Sequence, residues 1–161
     1  MSPERAGRAR VERVVSGGQT GVDRAALDAA LELGIPCGGW CPRGRRSEGG
    51  PIPGRYPLRE TATASYPERT GRNVRDADAT LVLKRGPLRG GTALTVSLAR
   101  RAGRAFLVVD LADRDARAGI RGWLEREGIR VLNVAGPRES EAPGIHDDVV
   151  ALMREVLSDG T

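Results

Sequence analysis

The sequence predicts an α/β protein with a Rossmann-like, doubly wound sheet of five or six mostly parallel strands and helices on both faces. Strand-like and helix-like segments alternate along the chain, which is the pattern that produces parallel sheets. The strand-like segments are continuously apolar, as in Leu81-Val82-Leu83, instead of alternating between apolar and polar residues. Such runs are typical of strands that are covered on both faces.

The first half of the chain predicts a strand, a glycine-rich turn and a helix. The β-branched run of residues 11–16 indicates a buried strand. From Asp23 onward, apolar residues recur at helical spacing up to Gly34, which is a typical helix stop. Residues 35–40 indicate a second short strand, and residues 56–61 a short edge strand. Residues 41–57 are rich in proline and glycine, and a loop of this length more often acts as a lid or binding loop than as filler.

The second half predicts further helices and strands in alternation. Helices are expected over residues 67–77, 92–102, 112–127 and 144–157, and buried strands over residues 79–84, 105–111 and 129–135. Residues 1–10 are polar and rich in arginine, so we expect them to form a flexible tail. Residues 11–158 then form one ligand-binding domain, which is large enough to fold without disulfides or a structural metal.

Composition restricts the partners of the protein. The 161 residues carry a formal charge of +5, yet Lys84 is the only lysine and aromatic residues are not interleaved with the arginines. This favours a pocket for a small anion over a nucleic-acid surface. Because no apolar run could span a bilayer and no secretory signal is evident, we expect a cytoplasmic protein. Cys37 and Cys41 lack the further ligands of a zinc site and are expected to be reduced thiols, so no metal site is predicted.

The first glycine-rich turn follows a strand and precedes a helix. It reads Ser16-Gly17-Gly18-Gln19-Thr20-Gly21-Val22-Asp23. Glycines let the backbone approach a ligand, and the free N–H groups and dipole of the following helix favour an anion. The alternative is a tight turn in which Asp23 caps the helix. Gln19 and Thr20 favour the ligand site, since a bare turn does not need their polar groups.

A second turn repeats this arrangement later in the chain. Gly90-Gly91-Thr92 places two glycines and a hydroxyl at a predicted helix start, and the alternative is again a simple cap by Thr92. If the two turns follow adjacent central strands, both helix starts flank one crevice at the carboxyl ends of the strands. The pair of turns therefore predicts an anion site more strongly than either turn alone.

Further candidates lie near other helix starts. Arg69, Thr70 and Asn73 lie in the first turns of a helix and could either contact the ligand or stay in solvent. Arg138 follows the last strand and could bind a phosphate bidentately. His146 is the only histidine, and a surface role is favoured because no nucleophile accompanies it.

These motifs resemble the molybdenum cofactor carrier family. The resemblance rests on six ordered motifs that cover nearly everything after the tail: Ser16 to Arg24, Arg69-Thr70, Asn73-Val74, Asp76-Ala77-Asp78, Gly90 to Thr95, and Asn133 to Arg138. That family belongs to a wider group of Rossmann-like proteins similar to the so-called lysine decarboxylases, which include cytokinin-releasing nucleotide hydrolases.

The resemblance implies a homo-oligomer that binds the molybdenum cofactor, a pterin dithiolene carrying a phosphate, and protects it or delivers it to molybdoenzymes. The hydrolase relatives carry a catalytic glutamate after their Gly-Thr motif. Here Ala93, Leu94 and Thr95 follow Thr92, so the resemblance argues against catalysis by that route. The residues expected to bind the cofactor are Gly17, Gly18, Gln19, Thr20, Gly21, Asp23, Arg24, Arg69, Thr70, Asn73, Gly90, Gly91, Thr92, Arg138 and Ser140.

Two other functions remain open from the sequence. One is a nucleotide hydrolase that releases a base from a nucleoside monophosphate, and the other is a nucleotide sensor that acts by binding a partner protein. A carrier differs from the hydrolase in binding its ligand without turnover. A sensor would change its oligomeric state or partner affinity when its ligand binds.

Overall fold

Strands and helices alternate in the computed structural model, which describes residues 10–158. The strands are β1 (Arg13–Val15), β2 (Cys37–Gly38), β3 (Trp40–Cys41), β4 (Arg59–Glu60), β5 (Ala79–Lys84), β6 (Ala105–Asp110) and β7 (Val131–Ala135). The helices are α1 (Val22–Leu33), α2 (Tyr66–Asp76), α3 (Gly90–Ala102), α4 (Ala116–Glu127) and α5 (Ile145–Leu157), with a 3₁₀ turn at Glu139–Glu141. Apart from Arg10, the predicted tail lies outside the described residues.

The central sheet has five strands in the order β2-β1-β7-β5-β6, and every neighbouring pair is parallel. This confirms the predicted Rossmann-like sheet. One expectation was wrong, because β1 and β5 are not adjacent. The last strand of the chain, β7, lies between them and pairs Leu132 with Val14 on one side and Val134 with Leu81 on the other. The predicted crevice therefore has β7 at its centre.

Helices cover both faces of the sheet. Helices α1 and α4 pack against α5, whereas α2 packs against α3. Four alanines of α1 are fully buried and allow close approach to the sheet and to α5, at Ala25, Ala26, Ala29 and Ala30. The apolar run of β5 is buried from Ala79 to Leu83, as its composition predicts. No helix among residues 10–158 combines the length and apolar character needed to cross a membrane.

Strand β6 differs from its prediction as a buried strand. It forms the edge of the sheet, and Phe106, Leu107 and Val108 are only partly buried. A continuously apolar run does not distinguish a central strand from an edge strand, since the distinction depends on a neighbour that is distant in sequence. The guanidinium of Arg100 lies 5.4 Å from the ring centre of Phe106 and covers part of this edge.

The predicted strand at residues 35–40 splits into β2 and β3. Gly39 separates them with a φ of 125°, and a Cβ there would overlap the backbone of Ser16. Strand β2 joins the main sheet, whereas β3 pairs with β4 in a separate two-stranded sheet. The predicted edge strand at residues 56–61 is thereby reduced to Arg59–Glu60.

The loop of residues 42–58 is tied to the domain. The guanidinium of Arg45 donates to the carbonyls of Ile52, Pro53 and Tyr56 at 2.8–2.9 Å. Ile52 and Tyr56 are buried in a small cluster with Leu27 and Cys41. Arg45 therefore stabilises the loop from within, and the buried side chains of Ile52 and Tyr56 attach it to the domain.

His146 connects this loop to two helices. Its Nε2 lies 2.7 Å from Asp28 Oδ2 and its Nδ1 lies 2.9 Å from Asp147 Oδ1. The other oxygen of Asp28 accepts a hydrogen bond of 2.7 Å from the hydroxyl of Tyr56. Burial lowers the pKa of His146, but the hydrogen bonds and charges of Asp147 and Asp28 outweigh it and raise that pKa above its ordinary value.

We predict that replacing His146 with Gln destabilises the protein at low pH only. A raised folded-state pKa contributes stability that is fully present below the unfolded value near 6.5 and is lost as the pH rises through the folded value. The free energy of unfolding, measured with urea, should fall by about 0.5–1 kcal/mol at pH 5.5. The loss should shrink at pH 8.5, and an equal loss at both pH values would refute the ionic role of His146.

Candidate functional site

An open cleft lies at the carboxyl ends of β1 and β7, between the start of α1 and helices α2 and α3. Both glycine-rich turns contribute to it, so the two predicted half-sites belong to one cavity. Nine predicted residues line the cleft: Gly17, Gln19, Asp23, Arg69, Thr70, Asn73, Gly91, Thr92 and Arg138. The intervening strand β7 supplies its end, from Asn133 to Gly136.

The backbone amides of the first turn are already bonded within the protein. Gly18 donates to Ser16 Oγ at 3.4 Å and Thr20 donates to its neighbour Gln19 Oε1 at 3.1 Å. The first amide of α1, at Val22, donates to the carbonyl of Pro137 at 3.2 Å. The amides of Gly17 and Gln19 lie close enough to the carboxyl of Asp23 to stabilise its charged form. The amides of Gly18, Thr20 and Val22 are therefore directed at protein acceptors.

Asp23 lies at the base of the cleft and is 6% exposed. Its Oδ2 lies 3.7 Å from Nη1 of Arg69. Burial raises the pKa of Asp23 to about 6, although the charge of Arg69 and the amides of Gln19 and Gly17 oppose the shift. Helix α1 has no side-chain cap, so Asp23 acts as a buried acceptor beneath the turn and does not cap the helix.

Arg69 fixes the position of α2 against the first turn. Its Nη1 donates to the carbonyl of Gly17 at 2.8 Å, and its Nε donates to Thr70 Oγ1 at 3.0 Å. A Cβ at Gly17 would overlap the guanidinium, so glycine is required there for this approach. Tyr66 also lines the cleft, with Arg69 at 5.2 Å and Arg46 at 4.4 Å from its ring centre.

The second turn differs from the first in its hydrogen bonding. Glycines 90 and 91 belong to the first turn of α3 itself, which begins two residues earlier than predicted. Among residues 10–158, the amides of Gly90, Gly91 and Thr92 donate no hydrogen bond, and the first bonded amide of α3 is that of Ala93, to Arg89. A Cβ at Gly91 would meet no atom within 4 Å. Unbonded amides at a helix start favour an anion.

The turn after β7 is joined to the first turn by Glu48 of the long loop. The Glu48 carboxylate accepts hydrogen bonds from the Thr20 hydroxyl and, at 2.5 and 3.1 Å, from the Ser140 hydroxyl and amide. The Glu48 amide donates to Gln19 Oε1 at 2.9 Å. Burial raises the pKa of Glu48, but the bonds from Ser140 and Thr20 outweigh it and lower that pKa. Thr20 and Ser140 therefore bind the long loop through Glu48. Neither residue lines the cleft.

Four other predicted residues also lie outside the cleft lining. A Cβ at Gly18 would overlap the side chains of Leu58 and Ile52, and one at Gly21 would overlap the backbone of the turn that follows β7. Arg24 donates to the carbonyl of Gly18 at 3.1 Å and to Ser47 Oγ at 3.3 Å. Gly90 has a φ of 55° and begins α3. Their positions in the structure give them supporting roles around the cleft.

Several residues that line the cleft were not predicted from the sequence. Tyr66 precedes Arg69, Thr70 and Asn73 at helical spacing, and that periodicity could have identified it. Asn133 could have been identified as a site residue because it is polar and stands in an otherwise apolar strand. It is buried, and its Nδ2 donates to Thr80 Oγ1 at 3.2 Å. Leu94, Thr95 and Gly136 lie within the motifs that carry the family resemblance but were not named as ligand contacts, whereas Glu141 has no local signal. Glu48 is an isolated acid in a loop, and only the folded structure brings it to Ser140.

The cleft therefore has two chemically different ends. The α3 start offers unbonded donors, with Arg138 in the same lining, and Asp23 offers a buried carboxyl acceptor beneath the first turn. Asn73 is bonded through both side-chain atoms to the backbone of Trp40, at 2.8 and 2.9 Å, and stiffens the wall between them. No cluster of three potential metal ligands occurs in the described part of the chain.

Comparison with known proteins agrees with this architecture. A model of the circularly permutated YpsA SLOG family matches residues 14–157. A crystal structure from Syntrophus aciditrophicus, named "Putative molybdenum carrier protein", superposes with a TM-score of 0.91. It is 42% identical, and the match covers 94% of this chain and 98% of that one. No curated protein matches the chain.

The family match spans nearly all of the described domain, including both glycine-rich turns and the strand between them. The sheet order, the cleft and the motif series agree with that match. The chain therefore belongs to the circularly permutated YpsA SLOG family.

Proposed function

We propose that this protein binds the molybdenum cofactor through its phosphate and holds it without turnover. One observation carries the proposal: the amides of Gly90, Gly91 and Thr92 lack protein acceptors while Gly91 borders open space in the cleft. A phosphate there would accept hydrogen bonds from these amides and gain from the dipole of α3. Arg138 lies in the same cleft lining and pairs with Glu141 through its Nε, while its two Nη groups have no partner among the described residues and suit a phosphate oxygen.

The other end of the cleft suits the pterin. A pterin is a flat heterocycle with N–H donors on one edge, so it requires an aromatic or apolar face and hydrogen-bond acceptors. Tyr66 supplies an aromatic ring, and Asp23 supplies a carboxyl acceptor. The cleft therefore offers hydrogen-bond donors for a phosphate at the start of α3, and a ring and an acceptor for the pterin at its other end.

The structural neighbour adds independent support. It is named as a molybdenum carrier, and its identity of 42% extends over 94% of this chain. The carrier proposal includes a homo-oligomer and transfer of the cofactor to molybdoenzymes, both of which the family resemblance implies. The recipient would be recognised by surfaces outside the cleft.

A second function, release of the base from a nucleoside monophosphate, is favoured by Asp23. Its carboxyl has a pKa of about 6 in a cleft suited to phosphate, and such a group could act as an acid or a base near neutral pH. Incubation with AMP and GMP, followed by chromatography for free base, separates the two functions. Release that disappears in Asp23→Asn would favour hydrolysis, and binding without release favours the carrier.

We predict that Gly91→Leu abolishes ligand binding without unfolding the protein. Gly91 lies in a helix with open space beyond it, so the side chain should fill the cleft without strain. The affinity for molybdopterin, measured by fluorescence titration, should fall by roughly tenfold or more. Gly119→Leu is the matched control, because Gly119 also lies in a helix beside open space but on α4, away from the cleft.

An unchanged affinity in Gly91→Leu would remove phosphate binding at the α3 start from the proposal. A loss of affinity in the Gly119→Leu control as well would show that the effect is not specific to the cleft. Circular dichroism of both variants shows whether the fold is retained.

We also predict that anion affinity increases as the pH falls through about 6. Protonation removes the negative charge of Asp23 from the cleft, whereas Arg69, Arg24 and Arg138 keep their positive charges. Sulfate is a suitable probe because its own charge is constant over this range. Wild-type affinity should rise by roughly three- to tenfold between pH 7.5 and pH 5.

Asp23→Asn should remove this dependence and bind sulfate at pH 7.5 as tightly as the wild type does at pH 5. Asn has the size of Asp and keeps one side-chain oxygen as an acceptor, which preserves the turn. Isothermal titration calorimetry at the two pH values measures the effect. The same pH dependence in the variant would show that another group controls anion affinity.

A further inference from the structure

A second, smaller pocket adjoins the cleft. It lies between the loop after β5 and the turn after β7, and its lining includes Lys84, Arg85, Arg89, Thr92 and Glu141. Thr92 and Glu141 line both cavities. The start of α3 therefore separates two neighbouring cavities at the carboxyl edge of the sheet.

The second pocket contains one uncompensated positive charge. Its lining holds three cations, Lys84, Arg85 and Arg89, and a single acid, Glu141. The charge of Glu141 is compensated by Arg138, whose Nε and backbone amide both donate to it at 3.3 Å. Acids outside the lining pair with two of the three cations, Asp110 with Lys84 at 3.2 Å and Asp148 with Arg85, which leaves the charge of Arg89.

Arg89 is the free member of this group. Its side chain is exposed and has no ion pair or hydrogen bond with any other residue of the described range 10–158. It immediately precedes the unbonded amides of α3 and is the residue before the first helical turn. Arg89 can therefore move onto an anion in the second pocket, which it lines, without breaking an existing contact.

We propose that this pocket is a second anion subsite and that the natural ligand carries two linked phosphates. The inference rests on the proposed function, since the first phosphate occupies the α3 start. The second phosphate would lie beyond Thr92, among Lys84, Arg85 and Arg89. The ligand class is a phosphoanhydride, that is, a nucleoside diphosphate or a pterin joined to a nucleotide through a diphosphate.

A linked pair of phosphates suits the geometry better than two separate ligands. The cavities share wall residues, so groups bound in both would be close neighbours, and two independent anions would repel each other. A covalent link removes the second loss of translational freedom and raises the effective concentration of the second group. The unpaired Arg89 then adds a charge-assisted hydrogen bond that a monophosphate cannot use.

Calorimetric titration with two pairs of probes tests the subsite. The pairs are inorganic phosphate against pyrophosphate, and GMP against GDP. We expect the diphosphate of each pair to bind roughly tenfold or more tightly than its monophosphate. A preference in both pairs indicates recognition of the diphosphate itself, whereas a preference only for GDP indicates that the nucleoside is needed to place it.

Arg89→Ser should remove most of this preference and leave monophosphate affinity within about twofold, since the first subsite uses the amides of α3. Arg85→Gln provides a second variant in the same pocket. Arg101→Ser is the matched control, because Arg101 is exposed at the other end of α3 and its loss changes the net charge equally. The control should keep the wild-type preference.

Equal affinity for mono- and diphosphates in the wild type would overturn the second subsite while leaving the proposed function intact. A preference that survives in both Arg89→Ser and Arg85→Gln would also overturn it. Absence of binding by every probe, together with no effect of Gly91→Leu on molybdopterin, would instead reject the proposed function.

Discussion

The buried contact between Asp23 and Arg69 determines the shape of the cleft. The amides of Gly17 and Gln19 favour the charged form of the Asp23 carboxyl, and Arg69 donates to the carbonyl of Gly17 from α2. The first turn is thereby fixed against a helix on the opposite face of the sheet. A buried carboxyl and a buried guanidinium are costly to desolvate, so each depends on these partners. Their arrangement holds open the space that the ligand would occupy.

This contact also assigns different roles to two turns with similar composition. In the first turn, the amides of Gly18 and Thr20 donate to Ser16 and Gln19, and those of Gly17 and Gln19 stabilise the buried carboxylate of Asp23, so that turn mainly serves the protein's own structure. The amides at the start of α3 have no such partners, and the glycine there borders open space. Glycine at the first turn allows close packing of the protein against itself. Glycine at the second leaves room for another molecule.

Much of the fold could be predicted from local pattern. The strand Ala79–Lys84 was predicted with its observed bounds, because a short, continuous apolar run flanked by polar residues is typical of a buried strand. The order of strands could not be predicted, since β7 is placed between β1 and β5 by contacts between residues far apart in sequence. The edge position of β6 escaped prediction for the same reason. The start of α3 was placed after its glycines, because Gly90 and Gly91 have low intrinsic helix propensity.

The candidate site was predictable in its polar motifs but not in its hydrogen bonding. Glycine, threonine and arginine at strand ends identified both turns, and nine of the expected residues line the cleft. Sequence alone could not show that Thr20 and Ser140 bind Glu48, because that acid comes from a loop without periodicity. It also could not show which amides remain free, since that property depends on every acceptor nearby.

The proposed ligand binding in this cleft depends most directly on the free amides at the start of α3. Titration of the ¹⁵N-labelled protein with inorganic phosphate, followed by amide chemical shifts, reports on each of these groups separately. We expect large saturable shifts at Gly90, Gly91 and Thr92, with small shifts at Gly18 and Thr20. Saturable shifts confined to the first turn, with the α3 amides unchanged, would contradict an anion site at the start of α3.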